Sequence, residues 1–393
     1  MPGDMSWMKA RYDELNEKSL LWEPPTLEGP NQPRCQMDGK PTIMLSANNY
    51  LNLTTHPKVV AAMQHATTTY GAGSGSVRAI AGTMDIHLEA EKKVAEFKGV
   101  EASLIYSAGY TVNVGLIPTL VAGPQDVIIS DELNHGSIID GVRLTKASRA
   151  VYAHNDMGEL EAVLKAHEGS DRKLIITDGV FSMEGDLANV PGLVAAKKKH
   201  NVQLMVDDAH GLGTMGPTGR GTVEHYGLED DVDIISGTFS KSFASLGGVV
   251  AGPKEVINYI KHHGRSLIYS ASISPASLGA ALAALDIMET EHHHREKLHS
   301  NVARMRKGLV ELGYNVGESE TPVLPIYLGE EVRMLFFWKA LFEEGVYTNA
   351  VIPPAVAPDD TLIRTSFMAT HTHEQIDRAL DVFERVGKLA NLI

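Results

Sequence analysis

Cysteine is almost missing from this 393-residue sequence, in which Cys35 stands alone. With no partner thiol in the chain nothing staples the fold covalently, and a reducing, cytoplasmic compartment is the expectation. Long apolar runs are missing as well, and no stretch approaches the length that crosses a bilayer. Residues 1–14 lack the basic, apolar and small-residue order of a signal peptide. Positive charge is scarce, with 35 Lys and Arg against 49 Asp and Glu and a formal net charge of −14. A polyanion needs clustered cations to neutralise its phosphates, so nucleic acid is excluded as a partner. A local basic pocket for one phosphorylated ligand is not.

What is present belongs to a large folded protein. Hydrophobic residues make up 43% of the chain, which excludes wholesale disorder, and the length exceeds what one simple core needs. A helix is expected from Ser6 to Leu21, stopped by Pro24-Pro25, and then an aperiodic arm from Glu28 to Lys40 that lies across another part of the protein or a partner subunit. A second helix is expected after Thr55 as N-cap, with Pro57 in its first turn and Gly71 beyond its end. A third runs from Asp85 to Lys98, with Leu88, Val94 and Phe97 near one face. From Ala102 to Val250 short apolar runs alternate with helical stretches such as Leu160 to His167 and Val190 to His200. That alternation predicts a mostly parallel sheet covered on both faces. After about Ser274 longer helices take over, from Leu278 to Glu289, Leu298 to Leu312 and Glu331 to Glu344. The last helix opens at Thr372 with a capping-box Gln375. The expected division is 1–45 for the N-terminal helix and arm, 46–275 for a large domain and 276–393 for a small α+β domain.

Several local patterns carry chemistry. Gly71 to Thr83 is rich in glycine, but neither a dinucleotide fingerprint nor a P-loop fits it. Arg78 within it is either an anion contact or a solvated loop residue. Ser107-Ala108-Gly109-Tyr110 turns from a strand into a helix, which offers N–H groups and a hydroxyl to a phosphate and a Tyr ring for stacking. Asn48-Asn49 after a strand either closes a turn or donates to a ligand carboxylate. His292-His293-His294 cannot chelate one ion from one helix face, because successive helical residues point about 100° apart. No metal centre is expected.

The organising feature is Lys241, in Ser236-Gly237-Thr238-Phe239-Ser240-Lys241-Ser242, just past the apolar run Val232 to Ile235. A lysine at the end of a buried element loses its proton readily and becomes an amine nucleophile. Lys173 to Asp178 and Gln203 to Asp208 are two more strand-like runs with acidic ends, and three such ends converge on one crevice. Asp207 and His210 are spaced to meet one flat ring, the carboxylate at a protonated pyridine nitrogen and the imidazole at a phenolic oxygen. With Lys241 they point to pyridoxal phosphate, whose protonated ring is an electron sink.

Together these segments resemble the α-oxoamine synthases of the fold-type I pyridoxal phosphate enzymes. The resemblance covers nearly the whole chain: Asn48 to Leu51, Gly71 to Thr83, Asp131 to Gly141, Asp178 to Met183, Val206 to Gly211, Gly237 to Lys241 and Ile363 to Thr365. It implies a mostly parallel seven-stranded sheet in the large domain and an acyltransferase that joins a small amino acid to an acyl-CoA, releasing coenzyme A and usually carbon dioxide. It makes Lys241 the cofactor-linked lysine and proton acceptor, Asp207 the partner of the pyridine nitrogen, His210 that of the phenolic oxygen, and His135 the residue stacked on the ring. Ser107, Gly109, Tyr110, Thr238 and Ser240 would surround the phosphate and the cofactor face, with Ser182 near the phenolic oxygen. Arg364, with Asn49, would hold the amino-acid carboxylate. Ser270 would reach the phosphate of a second subunit, which implies a homodimer with shared active sites.

Within the family, the Gly237 to Ser242 segment and the Gly345 to Asn349 segment followed by Ile352-Pro353-Pro354-Ala355 resemble the serine palmitoyltransferase branch. The expected substrates are therefore L-serine and a long-chain acyl-CoA, giving 3-ketosphinganine. Glycine C-acetyltransferase and 8-amino-7-oxononanoate synthase activities are the alternatives, and Asp131 to Lys146 with Asn155 to Met157 look more like the glycine C-acetyltransferase and broad-specificity members.

Overall fold

Val127–Asp131, Lys173–Asp178 and Gln203–Asp207 are buried along almost their whole length. Runs of Val, Ile and Leu without polar alternation form strands that are covered on both faces, and these three lie at the centre of the molecule. The computed structural model describes residues 4–18, 21, 23–329, 331–353, 356 and 360–393. Its chain opens with α1 (Ser6–Glu17), β1 (Leu27–Glu28), β2 (Arg34–Met37) and β3 (Lys40–Met44). Helices α2 (Pro57–Tyr70) and α3 (Asp85–Lys98) lead into β4 (Ala102–Tyr106), α4 (Gly109–Leu120), β5 (Val127–Asp131), α5 (Gly136–Arg143) and β6 (Ser148–Tyr152). Then come α6 (Met157–Ala166), β7 (Lys173–Asp178), α7 (Val190–His200), β8 (Gln203–Asp207), α8 (Thr222–His225), β9 (Ile234–Thr238) and β10 (Gly248–Gly252). Helices α9 (Lys254–His263), α10 (Arg265–Ile268), α11 (Pro275–Thr290) and α12 (His293–Glu311) follow. The chain closes with β11 (Val323–Tyr327), α13 (Glu331–Glu343), β12 (Val346–Tyr347), β13 (Asn349–Val351), β14 (Leu362–Ser366) and α14 (His373–Leu389).

Seven strands form the central sheet in the order β4-β10-β9-β8-β7-β5-β6. Strands β5 to β9 pair in parallel, and β10 runs antiparallel to both β4 and β9. The mostly parallel sheet expected from the alternation is therefore what forms. Its crossover helices are closed locally: Asn189 caps α7 by accepting from the Gly192 N–H, Asn201 ends it in the left-handed region, and Lys197 to His200 face the negative end of the helix dipole. Because β5, β7, β8 and β9 are parallel, Asp131, Asp178, Asp207 and Thr238 emerge at one edge of the sheet. There Asp178 lies directly opposite Asp207.

The smaller C-terminal domain packs α12, α13 and α14 on the antiparallel sheet β11-β14-β13. The capping box that opens α14 makes both of its bonds, from the Thr372 N–H to Gln375 Oε1 and from the Gln375 N–H to Thr372 Oγ1. Ile376, Ala379 and Phe383 of α14 are fully buried, and Leu380 is partly so.

Four local expectations need correction. The arm is not aperiodic: β1, β2 and β3 form a meander whose β3 pairs in parallel with β12 of the small domain. Asp38 and Gly39 both take positive φ at its hairpin, as a two-residue turn requires. The cap of α2 is His56, one residue beyond Thr55, and its Nδ1 accepts from the Lys58 N–H. Leu88 is exposed, while Val94 and Phe97 face the core. Helix α1 ends at Glu17; residues 19 and 20 of the expected helix lie outside the described residues, as do Pro354 and Ala355 of the proline segment. Among the described residues no helix is long and apolar enough to cross a membrane.

Candidate active site

Lys241 sits three residues past the end of β9, in the loop that returns to β10. The Phe239 N–H donates to the Gly247 carbonyl at 3.0 Å, and the Ser245 N–H to the Phe239 carbonyl at 2.9 Å. Phe239 and Phe243, both buried, pack with ring centroids 4.8 Å apart and pin this loop to the core. Lys241 faces a cavity and so keeps partial exposure as a residue, yet the protein around its amine desolvates the charge. Its pKa falls to about 8, against the opposing pull of the Asp207 and Asp178 carboxylates.

Asp207 ends β8 with its carboxylate fixed from two sides. Asn113 of α4 donates to Oδ2 at 2.5 Å, and the Ala209 N–H donates to Oδ1 at 3.1 Å. Its neighbour Asp208 points the opposite way, as successive residues of extended chain do. There it accepts from the Thr222 N–H and hydroxyl and pairs with buried Lys98 at 3.6 Å. His210 is buried, and its Nδ1 lies 2.6 Å from the Tyr50 hydroxyl. Burial, reinforced by the charges of Lys241 and Arg364, pushes its pKa well below the usual imidazole range. Burial and the charge of Asp207 push the Asp178 carboxyl well up, and that side chain accepts from the His135 N–H at 2.7 Å. His135 caps α5, with its Nδ1 against the Ser137 hydroxyl at 2.7 Å, and burial lowers its pKa.

At the other end of the cavity α4 begins at Gly109 with no side-chain cap, so its first N–H groups are available to an anion. A Cβ on Gly109 would stand 2.9 Å from the Thr238 Cβ, so only glycine lets the helix start come this close to the end of β9. The Thr238 and Ser240 hydroxyls lie 2.8 Å apart beside it. Tyr110 is half exposed, with its hydroxyl 2.5 Å from Asp140.

Lys241, Asp207, His210, His135, Ser182, Gly109, Tyr110, Thr238 and Ser240 thus line one cavity of about 310 Å³. A larger groove of about 940 Å³ lies at the amino ends of β7 and β8 and gathers none of these groups. The donor set fits pyridoxal phosphate: an amine of lowered pKa, a carboxylate locked in place by Asn113, a buried imidazole, and an uncapped helix start beside two hydroxyls where a Cβ has no room.

Other expected site residues stand elsewhere. Ser107 precedes the cavity wall without lining it, and Ser270 is half-buried outside it. Arg78 makes a two-pronged ion pair with Glu91 at 2.6 and 3.2 Å, which holds the glycine-rich stretch against α3 and leaves the guanidinium no place in the cavity. Asn49 turns away: its amide donates to the Asn31 carbonyl, Asn52 and Thr54. Asn48 points inward instead, and its Oδ1 accepts from Arg364 at 3.1 Å. Arg364, buried on β14, also donates to the Ser182 carbonyl and reaches the Tyr50 hydroxyl at 3.5 Å.

Sequence reasoning overlooked Asn113 and Tyr50; it offered Asn48 and Asn49 together as donors to a carboxylate, and the resemblance then favoured Asn49. Asn113 had a signal, a polar residue between Val112 and Val114 on an otherwise apolar helix. Tyr50 had none beyond its place after two amides.

Residues 40–383 match the family described as aminotransferase class I and II. An 8-amino-7-oxononanoate synthase from Treponema denticola is 45% identical over 391 residues, which cover 99% of each chain. A serine palmitoyltransferase from Sphingobacterium spiritivorum is 44% identical over 380 residues, 97% of this chain and 95% of that protein. Among solved structures, a variant serine palmitoyltransferase from S. paucimobilis with a bound PLP–myriocin aldimine superposes with a TM-score of 0.93 at 32% identity, covering 98% of both chains.

Proposed function

We propose substrates and residue roles from the family to which this chain belongs, the aminotransferase class I and II family and, within it, the α-oxoamine synthases, pyridoxal phosphate-dependent acyltransferases of fold type I. The reaction is the condensation of an amino acid with an acyl-CoA, with release of coenzyme A. The observation that carries the residue assignment is the buried Arg364 guanidinium, which donates to the carbonyl of cavity-lining Ser182 and to Asn48 Oδ1 at 3.1 Å and so offers a carboxylate anchor at the cavity that holds Lys241.

Bound pyridoxal phosphate supplies an electron sink for negative charge on the substrate Cα. The chain does the rest. Asp207, held by Asn113, keeps the pyridine nitrogen protonated, and His210 presents Nε2–H to the phenolic oxygen. His135 covers one face of the ring. The N–H groups at the start of α4 and the hydroxyls of Thr238 and Ser240 hold the phosphate. Arg364 and Asn48 orient the amino-acid carboxylate, while Lys241 takes the Cα proton at Nζ, a role for which its lowered pKa suits it. Ser270 serves the neighbouring subunit's phosphate in a homodimer, and the chain divides near residues 45 and 275.

For the substrates, the relatives' names support L-alanine and pimeloyl-CoA ahead of L-serine and a long-chain acyl-CoA. The product 8-amino-7-oxononanoate carries its amine and terminal methyl on two carbons, as alanine provides after losing carbon dioxide, and its remaining seven carbons match a pimeloyl group. The serine reading is kept because a serine palmitoyltransferase is 44% identical to this chain. A grid of glycine, alanine, serine and threonine against acetyl-, succinyl-, pimeloyl- and palmitoyl-CoA, read by thiol release, decides between them. Alanine with pimeloyl-CoA is expected to give the highest kcat/KM, and absence of thiol release from every pair overturns the condensation itself.

A further inference from the structure

Three ligating side chains meet where the chain passes from α11 to α12. His56 caps α2, Glu291 follows α11 and His294 lies in the first turn of α12. Each offers an atom within 4.8 Å of the others. The histidine run, dismissed above as a chelate, does not act as a run here: His294 alone of the three joins this group, and its companions come from a distant helix start and the preceding turn.

The geometry suits a cation. His294 Nε2 is buried with no hydrogen-bond partner and stands 3.5 Å from Glu291 Oε2. That is long for a hydrogen bond but close to the edge of a tetrahedral metal site, about 3.3 Å for ligands about 2.0–2.1 Å from the ion. Lys58 occupies the other oxygen, Oε1, at 2.8 Å and leaves Oε2 to His294. The His56 ring stands edge-on to that of His294, centroids 6.2 Å apart, and its Nδ1 is engaged only by a 3.3 Å bond from the Lys58 N–H.

We propose that His56, Glu291 and His294 form a binding site for one divalent transition-metal ion of the Zn²⁺ class. Two imidazoles and one carboxylate, with water in the open position, are the ligand set such ions take. The site ties the start of α2 to the turn between α11 and α12, and none of its ligands lines the catalytic cavity. It revises the expectation that the chain holds no metal.

The test is calorimetric titration of the chelator-treated holoenzyme with Zn²⁺, alongside thermal melting, and titration with Co²⁺ for its ligand-field absorption. One ion per chain, bound in the micromolar range or tighter with a rise in Tm, is expected. His56→Ala, His294→Ala and the shape-conserving Glu291→Gln each weaken binding at least about tenfold; melting of the metal-free protein is little changed for His294→Ala and Glu291→Gln, while His56→Ala lowers it by removing the α2 cap. His292→Ala, next to the group but outside it, binds as the unaltered protein does. Uptake only at millimolar Zn²⁺, equal binding by the variants, or weakening by one variant alone overturns the site.

Discussion

The Tyr50 hydroxyl and His210 Nδ1 stand 2.6 Å apart in a buried position, and the same hydroxyl lies 3.5 Å from the Arg364 guanidinium. With His210 held neutral, a phenol that donates to Nδ1 places the imidazole proton on Nε2, the nitrogen left to face the cofactor. One side chain therefore sets the tautomer at the ring and touches the carboxylate anchor. Tyr50→Phe should leave Nδ1 unsatisfied in the core, at a cost to stability of about 1–3 kcal/mol. Denaturant unfolding measures that loss. The pH titration of the cofactor's visible absorption should shift as well, whereas a purely structural role for Tyr50 leaves it in place.

Lys241→Ala should abolish turnover while the protein still binds pyridoxal phosphate reversibly. Borohydride reduction followed by intact-mass analysis checks this: the unaltered chain keeps the cofactor and the variant loses it. In the unaltered apoprotein the rate at which Lys241 captures pyridoxal phosphate should rise with pH up to about 8, as the amine becomes neutral. For the apoprotein the sign follows from proton counting. Between about 8 and the usual lysine value of 10.5 the unfolded chain binds more protons at this position, so the group's contribution to stability grows as pH rises across that window.

Adjacent asparagines should separate cleanly. Asn48→Ala should raise KM for the amino acid about tenfold, the effect of one hydrogen bond to a charged group, with little change in stability. Asn49→Ala removes a side chain that holds Asn31, Asn52 and Thr54 together, and should cost about 1–3 kcal/mol of stability with KM nearly unchanged. Steady-state kinetics and urea unfolding on both variants suffice, and the reverse pattern would restore Asn49 to the carboxylate site.

His154 should act as a pH-dependent clamp on the loop that carries Ser182. Burial opposes its charge, but Asp131 and Asp186 outweigh that and raise its pKa to about 9. A raised imidazole pKa contributes stability that is complete below the unfolded value of 6.5 and is lost as pH climbs through about 9. His154→Gln should flatten the stability profile over that interval, as thermal melts at a series of pH values would show.

The sequence by itself determined the parallel sheet, the acidic strand ends and the order of Asp207, His210 and Lys241 along the chain. Each is a local matter: an apolar run makes a strand, its end exposes the next polar residue, and parallel pairing brings such ends to one edge. The arm's pairing with β12 was only half legible, because Asp38-Gly39 signals a hairpin while the third partner lies some 300 residues on. Tertiary structure alone decided which of Asn48 and Asn49 faces the site, that Arg78 is spent on Glu91, that Asn113 locks Asp207, and that Tyr50 links His210 to Arg364. The physical reason is common to all four. Which side of the chain a polar group presents, and which distant group satisfies it, depends on how separate elements pack, and spacing along the chain does not encode that choice.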